Sequence, residues 1–544
     1  MREKGPITIE TGPKHECGLV AIALNKLPDE PIKPAPLHTA LISGLTALNH
    51  RGQEAAGLVW TDGRKFMQKK GLGLVASVFS DEVVKTEVEG YPPFLYAIGH
   101  SRYSTVDRNN IRGERKSTQP FWFPRKDALF PFRRRRHDGK VFALAHNGTV
   151  HFDYPLKKGD PQSDTYRVGK AILEAEGNFE ESVIKVLSTL EGAYTFFFAT
   201  PDGLYVARDP WGFRPCKVGR LNDGNKGFVL ASETVAIDKM GGEYMGDIRR
   251  GTFHKITGEG LAKPIWVDPR KDGLPSAYCS FEHAYFAEPA SIARDKNPIT
   301  GVEEKVTNDR IRTQLGQRLG ERLGDNIDFD VVMEVPKSGR SYAEGLAHAT
   351  NRPTDNGIQE NRYQFRSFIK GQLKEERQKE ASLKINLIED KIRGKRIGVV
   401  EDSIVRGHTA SGIVLNLLAA GAESVHLFSG VPPIKAPCYW GIDFKHPDEL
   451  IYHMLMSDPD RTGTFEERLA SWLVKDDPEL AKRVKVTFQT VEDYVSIIRG
   501  VPADTHHLES GACFHCVTGD APTGTNVPVE IKVNTLFKTG HERK

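Results

Sequence analysis

The sequence has few cysteines for its length and no long apolar run. Six cysteines in 544 residues cannot form the dense disulfide framework of a small secreted protein, and in a reducing compartment they point to metal binding or catalysis. No apolar stretch approaches the ~20 residues of a membrane span. The N-terminal segment MREKGPITIETGPKHE has no apolar signal core. These features predict a cytoplasmic protein with no membrane partner.

A strong net charge is also missing. The formal charge is +3, with 39% hydrophobic and 27% charged residues, an ordinary composition for a globular protein. So weak a net charge gives no reason to expect a nucleic-acid partner. One basic loop, Phe123–Lys140, contains four consecutive arginines at Arg133–Arg136. It could bind an anionic partner, although a solvated surface insertion is the simpler interpretation.

The hydrophobic pattern changes along the chain. After a polar leader of residues 1–16, strand-like segments such as LYAIGHSRYST and AYTFFFATPDGLYVARD are separated by turns, which indicates an α+β domain over 17–275. Helices then alternate with the buried runs FDVVMEVP, RIGVVED and SVHLFSGV, which indicates an α/β domain with a parallel sheet over 276–458. Residues 459–544 are predicted to form a charged helical tail.

Cys17 is the first candidate catalytic residue. A lone cysteine is commonly buried and inert, but cleavage after Glu16 would give Cys17 a free α-amine. The unperturbed pKa of such an amine is near ~8. The amine can therefore accept the proton of the thiol in its own residue and activate it as a nucleophile.

A second candidate site follows a buried strand predicted at Ile397–Val400. Glu401 and Asp402 come next, then small and hydroxyl residues, then a helix predicted over Ser411–Leu418. Such a turn at the carboxyl edge of a parallel sheet favours an anion, yet two acids would repel a bare phosphate. They suit a ligand that carries hydroxyls or a cation beside its phosphate, such as a phosphorylated sugar.

The order of the motifs extends both observations. ECGLVAIAL, LNHRGQEAAGL, GHSRYST, AHNGTV, SDT, EGAYTFF, RDPWGFRP and ASETVAID follow one another as in the class II glutamine amidotransferases. With VVEDSIVRG downstream, the chain resembles the amidophosphoribosyltransferase family over roughly Cys17–Cys516. The resemblance implies an α+β N-terminal-nucleophile hydrolase sandwich domain followed by an α/β parallel-sheet phosphoribosyltransferase domain.

The resemblance also implies a reaction. Phosphoribosyl pyrophosphate (PRPP), glutamine and water would give 5-phosphoribosylamine, pyrophosphate and glutamate, the first step of de novo purine synthesis. Purine nucleotides would act as inhibitors, and the assembly would be a homodimer or homotetramer. Ammonia would have to pass between two sites without meeting water, so an apolar internal passage is expected.

The first domain would hold the glutaminase site. An oxyanion forms twice in this reaction and needs preset donors, while the glutamine α-carboxylate calls for a fork-shaped cation. The residues implied are Cys17 as nucleophile, Asn147 and Gly148 as oxyanion donors, Arg102 and Thr105 for the α-carboxylate, and Asp164 for the α-ammonium. Taken singly, these residues could equally be structural, since HNG is a common turn and an arginine can form a surface ion pair.

The second domain would hold PRPP. The family usually reads D-D-S-I-V-R-G-T-T-S in this loop, so Glu401, His408 and Ala410 are departures and PRPP binding could be weaker. Lys337 replaces an acidic family position and leaves the nucleotide control site in question. The residues implied are Glu401 and Asp402 for the ribose and Mg²⁺, Ser403, Arg406, Gly407, His408 and Thr409 for the 5′-phosphate, and Arg377 and Lys384 for pyrophosphate.

Four further cysteines match a metal site. Cys279, Cys438, Cys513 and Cys516 fall where the iron–sulfur members of the family place ligands to a 4Fe–4S cluster. Because C-x-x-C is shared by zinc, redox and iron–sulfur sites, zinc and free thiols remain alternatives. Cys216 has no such match and is expected to be a small core residue.

Two other functions stay open. A hexosamine-forming or asparagine-forming enzyme would also use glutamine, but it would need a sugar-isomerase or ATP-pyrophosphatase half, and no segment indicates one. A non-catalytic paralogue that senses PRPP or nucleotides would account for the departures at Lys337, His408 and Ala410.

Overall fold

The structure, a computed structural model, describes residues 17–25, 35–80, 94–102, 116–124, 140–221, 227–296, 301–360, 385–500, 511–522 and 525. Several predicted features lie outside these residues. They are the leader 1–16, Thr105, the arginines at 133–136, Arg377 and Lys384.

Two antiparallel sheets form the first half of the chain. Aliphatic and aromatic runs build their strands, because such side chains fit a pleated and buried surface. The strands are β1 (Gly18–Leu24), β2 (Ala55–Thr61), β3 (Phe66–Leu72), β4 (Tyr96–Arg102), β5 (Phe121–Phe123), β6 (Phe142–His151), β7 (Glu191–Thr200), β8 (Gly203–Arg208), β9 (Lys217–Leu221), β10 (Gly227–Ala231), β11 (Gly242–Asp247), β12 (Thr252–Thr257), β13 (Gly260–Leu261) and β14 (Trp266–Val267).

The sheets pack face to face between two layers of helices. One sheet has the order β11-β9-β10-β1-β4-β2-β3, and the other has the order β13-β12-β8-β7-β6-β5 with β14 beside β12. Leu19 and Ala21 of β1 pack on Phe197 and Val206 of the opposite sheet, so β1 lies at the centre of the sandwich. The helices of this half are Ala35–Ala47, Val75–Val78, Asp164–Glu174, Phe179–Leu187 and Thr234–Lys239.

A parallel sheet organises the second half. The strands of this half are β15 (Tyr278–Cys279), β16 (Ile292–Lys296), β17 (Glu303–Thr307), β18 (Val331–Glu334), β19 (Ile358–Glu360), β20 (Ile385–Leu387), β21 (Arg396–Glu401), β22 (Ser424–Ser429), β23 (Val484–Phe488) and β24 (Ala512–Cys513). The parallel sheet has the order β18-β21-β22-β23, and all three pairings are parallel. Its four strands are rich in valine, as strands covered on both faces usually are.

Helices surround this sheet. The α-helices are Asn308–Leu323, Arg340–Thr350, Glu389–Ile392, His408–Ala419, Ile451–Met456, Phe465–Leu473, Pro478–Ala481, Val491–Arg499 and His515–Thr518. Short 3₁₀ turns occupy Pro269–Gly273 and Pro447–Glu449, and a π-helix occupies Glu282–Phe286. Among the residues that the structure describes, no helix has both the length and the apolar character to cross a membrane.

The predicted helical tail is more mixed than expected. Its segment Val484–Phe488 is β23, which extends the parallel sheet beyond the boundary drawn at residue 458. The end of the tail then returns to the start of the second half, where β24 pairs in parallel with β15. A shared core joins the two halves, with Trp211 and Phe213 of the first half packed among residues of the second, including Trp440.

Candidate active sites

Cys17 stands at the open end of the central strand β1. Gly18 pairs with Ser101 of β4, so Arg102, the next residue of β4, lies at the same end of the sheet. Gly18 has to be glycine, since a Cβ there would lie 2.6 Å from Ser101 Oγ. Arg51 Nε donates to the Cys17 carbonyl oxygen at 3.3 Å. Cys17 is partly exposed, while Arg102 is 6% exposed, which suits a nucleophile beside a buried carboxylate-binding cation.

Asn147 carries a buried amide donor without a hydrogen-bond partner among the described residues, and Gly148 follows it in β6. Asn147 is 1% exposed, and its Nδ2 has no hydrogen-bond partner among the described residues. Gly148 has φ +138°, and a Cβ there would lie 2.1 Å from the Ala193 carbonyl oxygen. An unsatisfied buried donor is costly, so Asn147 Nδ2 is suited to an oxygen atom that the described residues do not supply. This is the requirement of an oxyanion hole.

Asp164 begins the helix Asp164–Glu174, which Ser163 caps. Its carboxylate accepts the backbone N–H of Thr165 at 2.7 Å and that of Val150 at 3.2 Å. The side chain stays 31% exposed, so it keeps room for one more donor. An ammonium group is a suitable one.

A buried network joins Asp164 to His146, the residue before Asn147. The Thr165 hydroxyl lies 3.2 Å from Asp164 Oδ1 and 3.0 Å from His146 Nδ1, while Gln119 Oε1 accepts the His146 backbone N–H at 2.7 Å. Burial lowers the pKa of His146, which keeps the ring neutral. Gln119, His146 and Thr165 are not among the residues predicted from the sequence, although His146 and Thr165 lie within the motifs AHNGTV and SDT.

His100 links the two sheets at this site. Its Nε2 lies 3.2 Å from the His146 carbonyl oxygen, so the end of β4 that carries Arg102 meets the part of β6 that carries Asn147. Burial, reinforced by the charge of Arg102, lowers the pKa of His100 to about 3. The end of β4 that carries Arg102 therefore lies near the part of β6 that carries Asn147 and Gly148.

Glu401 ends the central strand β21, and Asp402 follows it. They are 9% and 4% exposed, and Glu401 Oε2 has no hydrogen-bond partner among the described residues. Burial and the charge of Asp402 raise the pKa of Glu401 well above its usual value. Burial also raises the pKa of Asp402, although hydrogen bonds from Ser338 and Ser403 oppose the shift. Two such acids gain from a cation or from sugar hydroxyls.

The loop after the neighbouring strand β18 also reaches this site. Ser338 hydrogen-bonds to Asp402, a contact that the sequence analysis missed. Lys337 has φ +76°, and its Nζ lies 2.9 Å from a carboxylate oxygen of Glu360. A bulky residue at positive φ is uncommon and is typical of functional loops. Lys337, which departs from the family sequence, thus lies in the loop that faces Glu401 and Asp402.

Gly407 and the following helix form the anion-binding end of the loop. Gly407 is the N-cap of the helix His408–Ala419 with φ +75°, and a Cβ there would lie 2.8 Å from the Trp472 ring. The first free N–H groups of such a helix attract an anion. Arg406 instead turns to the segment after β22, since it donates to the Asp443 carbonyl at 3.3 Å and lies 3.7 Å from Glu449.

Two departures from the family loop have a structural explanation. The His408 ring packs on Trp472 with centroids 5.5 Å apart. Ala410 is 1% exposed within the core of the parallel-sheet half, where a serine hydroxyl would need a partner of its own. Neither substitution removes a backbone N–H group from the helix terminus.

Four cysteines gather in the core between the halves. Cys279, Cys438, Cys513 and Cys516 are all buried and belong to one cluster. Cys279 lies opposite Cys513, and the Cys516 carbonyl accepts the N–H groups of Lys435 at 2.7 Å and Ala436 at 3.1 Å. The tail thus holds its C-x-x-C beside the segment that carries Cys438.

The environment of these thiols is apolar. Burial, with a smaller contribution from nearby Cys438, raises the pKa of Cys513 to about 12, although a hydrogen bond from the His515 backbone opposes the shift. Over the described ranges, no three histidine, cysteine or acidic side chains surround one position suited to a single metal ion. A 4Fe–4S cluster does not require such a position, because each of its four thiolates binds a different iron. Cys216 is fully buried elsewhere, as expected of a core residue.

Known proteins match the chain along most of its length. No family profile matches it. The amidophosphoribosyltransferase of Mycobacterium tuberculosis is 31% identical over 525 residues, which cover 94% of this chain and 87% of the relative. The amidophosphoribosyltransferase of Bacillus subtilis is 33% identical over 492 residues, which cover 88% of this chain and 90% of the relative.

Solved structures match as well. The glutamine PRPP amidotransferase of B. subtilis, complexed with ADP and GMP, has a TM-score of 0.70 and 29% identity, and the match covers 94% of this chain and 99% of the other. A structure described as the allosteric regulatory enzyme of purine biosynthesis has a TM-score of 0.72 and 28% identity, with 95% and 97% covered. These neighbours confirm the predicted fold class.

Proposed function

This chain belongs to the amidophosphoribosyltransferase family, and from that premise we propose that it converts PRPP, glutamine and water to 5-phosphoribosylamine, pyrophosphate and glutamate. This is the first step of de novo purine synthesis. The observation that carries the proposal is the pairing of two sites in one chain. A strand-end cysteine accompanies an unsatisfied amide donor at Asn147, and a buried acid pair precedes a helix N-terminus.

The glutaminase site would release ammonia. After removal of residues 1–16, the α-amine of Cys17 takes the thiol proton, and Sγ attacks the glutamine side-chain carbonyl carbon. Asn147 Nδ2 and the Gly148 N–H donate to the oxyanion. The C–N bond then breaks, ammonia leaves with a proton, and water hydrolyses the γ-glutamyl thioester to glutamate. Arg102, Thr105 and Asp164 would hold the α-carboxylate and α-ammonium groups of the substrate.

The transferase site would use the ammonia. Glu401 and Asp402 would hold the ribose hydroxyls, and the N–H groups at His408 and Thr409 would hold the 5′-phosphate with Ser403, Arg406 and Gly407. Arg377 and Lys384 would bind pyrophosphate, which leaves as ammonia attacks ribose C1. Mg²⁺, held by Glu401 and Asp402, would neutralise pyrophosphate charge when bound.

The four buried cysteines fit a structural cluster. We infer a 4Fe–4S group on Cys279, Cys438, Cys513 and Cys516, since four mutually close thiols without a disulfide are otherwise left unused in an apolar core. A bound metal would hold them as thiolates. Neither reaction step moves electrons, so the cluster would tie the tail to the rest of the fold. Zinc is the alternative metal.

The setting of the enzyme follows from its family. We propose a cytoplasmic homo-oligomer, a dimer or tetramer, that purine nucleotides inhibit. The related B. subtilis structure holds ADP and GMP, which supports nucleotide control of this chain.

An anaerobic assay tests the proposed function. Protein assembled without oxygen is mixed with PRPP, Mg²⁺ and glutamine, and the release of glutamate and pyrophosphate is followed together. We expect equal amounts of both products and no sustained pyrophosphate release without glutamine or ammonia. PRPP binding without product release would contradict the proposal and favour the sensor paralogue.

A further inference from the structure

Arg51 is a buried arginine whose side chain contacts Cys17, Glu233 and Glu282. Its side chain is 0% exposed. Nε donates to the Cys17 carbonyl oxygen at 3.3 Å, Nη1 to Glu233 Oε1 at 2.6 Å, and Nη2 to Glu282 Oε1 at 2.7 Å. Cys17, Arg51 and Glu233 belong to the sandwich half, whereas Glu282 begins the π-helix Glu282–Phe286 in the second half. The nucleophile residue is thus connected to the second half through one guanidinium.

Glu282 lies between two arginines of the sandwich half. Its side chain is 0% exposed, and Oε1 is 3.5 Å from Arg214 Nη1. Arg214 in turn donates to the Trp440 carbonyl, next to Cys438. Oε2 of Glu282 has no hydrogen-bond partner among the described residues, so this carboxylate is held through Oε1 by Arg51 and Arg214.

The two carboxylates on Arg51 differ in their other partners. Glu233 also accepts the Ser291 hydroxyl at 2.8 Å and the Glu288 N–H at 2.8 Å, and His50 Nε2 lies 2.7 Å from it. These partners would keep the Glu233 carboxylate in place even without Arg51. Burial by itself would lower the pKa of Arg51, but Glu282 and Glu233 raise it above the usual value, so the guanidinium stays charged.

We propose that Glu282 is a positioning residue for glutamine hydrolysis, acting through Arg51 on Cys17. The proposal rests on the proposed glutaminase function. Once the leader is removed, Cys17 is a chain end, and its carbonyl is fixed by Arg51 Nε. Fixing that carbonyl restricts the rotation that would otherwise carry the α-amine and Sγ away from the substrate. Glu282 helps to set the direction of Arg51 because it binds Nη2, whereas Glu233 binds Nη1.

Glu282→Gln tests the proposal with little change in volume. The glutamine side chain keeps one oxygen that can accept from Arg51. It loses the negative charge of the carboxylate, and an NH₂ donor replaces the second acceptor oxygen. We expect kcat for glutamine hydrolysis to fall about 10- to 100-fold, as when reacting groups are slightly misplaced. We expect KM for glutamine to stay within about twofold, since Arg102 and Asp164, which bind the substrate, are untouched.

Glu288→Gln is the matched control. This side chain is 47% exposed and approaches His50 only at 4.0 Å. Its glutamine kinetics should equal those of the wild type. Ammonia-dependent transfer should stay within about twofold of wild type in both variants, because that reaction does not use Cys17.

A double variant separates positioning from folding. Glu282→Gln leaves buried arginine charge uncompensated and could unfold the chain. Arg214→Met combined with Glu282→Met removes one charge of each sign, so thermal stability should recover while glutamine turnover stays low. Recovery of turnover together with stability would overturn the inference, as would an unimpaired Glu282→Gln enzyme. A wild-type chain that never releases glutamate would overturn the proposed function as well.

Discussion

Cys279 and Cys513 face each other as partners in the two-stranded parallel sheet of β15 and β24. This pairing seats the C-terminal C-x-x-C beside the segment that leads from the sandwich into the second half. Trp440 stacks on Phe213 nearby, with ring centroids 5.2 Å apart. The cysteine core is therefore a joint between the two proposed catalytic halves, and its integrity should matter to both.

Replacement of Cys513 tests that joint. In protein made without oxygen, we expect about four irons and as much acid-labile sulfide per chain. Cys513→Ser should lose the iron and expose the tail to protease, because metal binding adds to folding free energy. Cys216→Ala, at a buried cysteine in the sandwich, should keep the iron content. Stoichiometric zinc without iron in the wild type would refute the cluster and leave the glutaminase and PRPP assignments intact.

Maturation should cut the chain between Glu16 and Cys17. The α-amine is the base for the thiol, so an uncleaved chain should not hydrolyse glutamine. Intact-mass analysis of the protein, before and after it becomes active, gives the cleavage site. Cys17→Ala should abolish glutamine use and leave transfer with high ammonia. Full glutaminase activity in protein that retains Met1–Glu16 would contradict this mechanism.

Asn147→Ala should lower glutaminase activity without lowering the stability of the fold. Loss of one oxyanion donor typically lowers kcat about 100- to 1,000-fold, with little change in KM. The same substitution removes a buried amide whose Nδ2 has no partner among the described residues, so the free energy of unfolding should not fall and is expected to rise. Steady-state kinetics and denaturant unfolding of the two proteins give both quantities. A large loss of stability would show that the amide has a structural role instead.

Asp402→Asn should disable transfer and leave glutaminase chemistry in place. The change removes one of two buried charges that would face ribose and Mg²⁺, and we expect ammonia-dependent transfer to fall about 100-fold or more. Asp390→Asn, at an exposed acid on the helix Glu389–Ile392, is the control. Undiminished transfer in Asp402→Asn would place the ribose elsewhere.

His100 should make stability depend on pH. Its pKa is lowered from 6.5 to about 3 by burial, with a contribution from the Arg102 charge, so the unfolded chain binds the proton more readily. Stability should fall as pH drops through this range, with a slope of up to about 1.4 kcal/mol per pH unit, and the effect should level off below the folded pKa. Chemical denaturation across this range should show a shallower dependence in His100→Gln. Parallel curves for the two proteins would mean that His100 is not buried in its neutral form.

Local patterns decided much of this protein in advance. The switch from short aromatic strands to alternating helices and buried strands predicted both fold classes, since hydrophobic periodicity reflects the faces that each element buries. Motif order predicted functional roles for Cys17, for Asn147 and Gly148, and for Glu401 and Asp402. Glycine at 148 and 407 also meets a local need, because both positions have a positive φ that other residues rarely adopt.

Tertiary structure alone decided the contacts between distant segments. Nothing in the local pattern around Glu282 indicates Arg51 as its partner, and Ser338 became part of the acid site only because β18 lies beside β21. The five residues Val484–Phe488 are too few to show a clear strand pattern in the sequence, which predicts a helical tail there. They form a strand because they pair with β22. Such partners are chosen by packing and by the need to satisfy buried charges and backbone groups. Those demands exist only once the chain has folded.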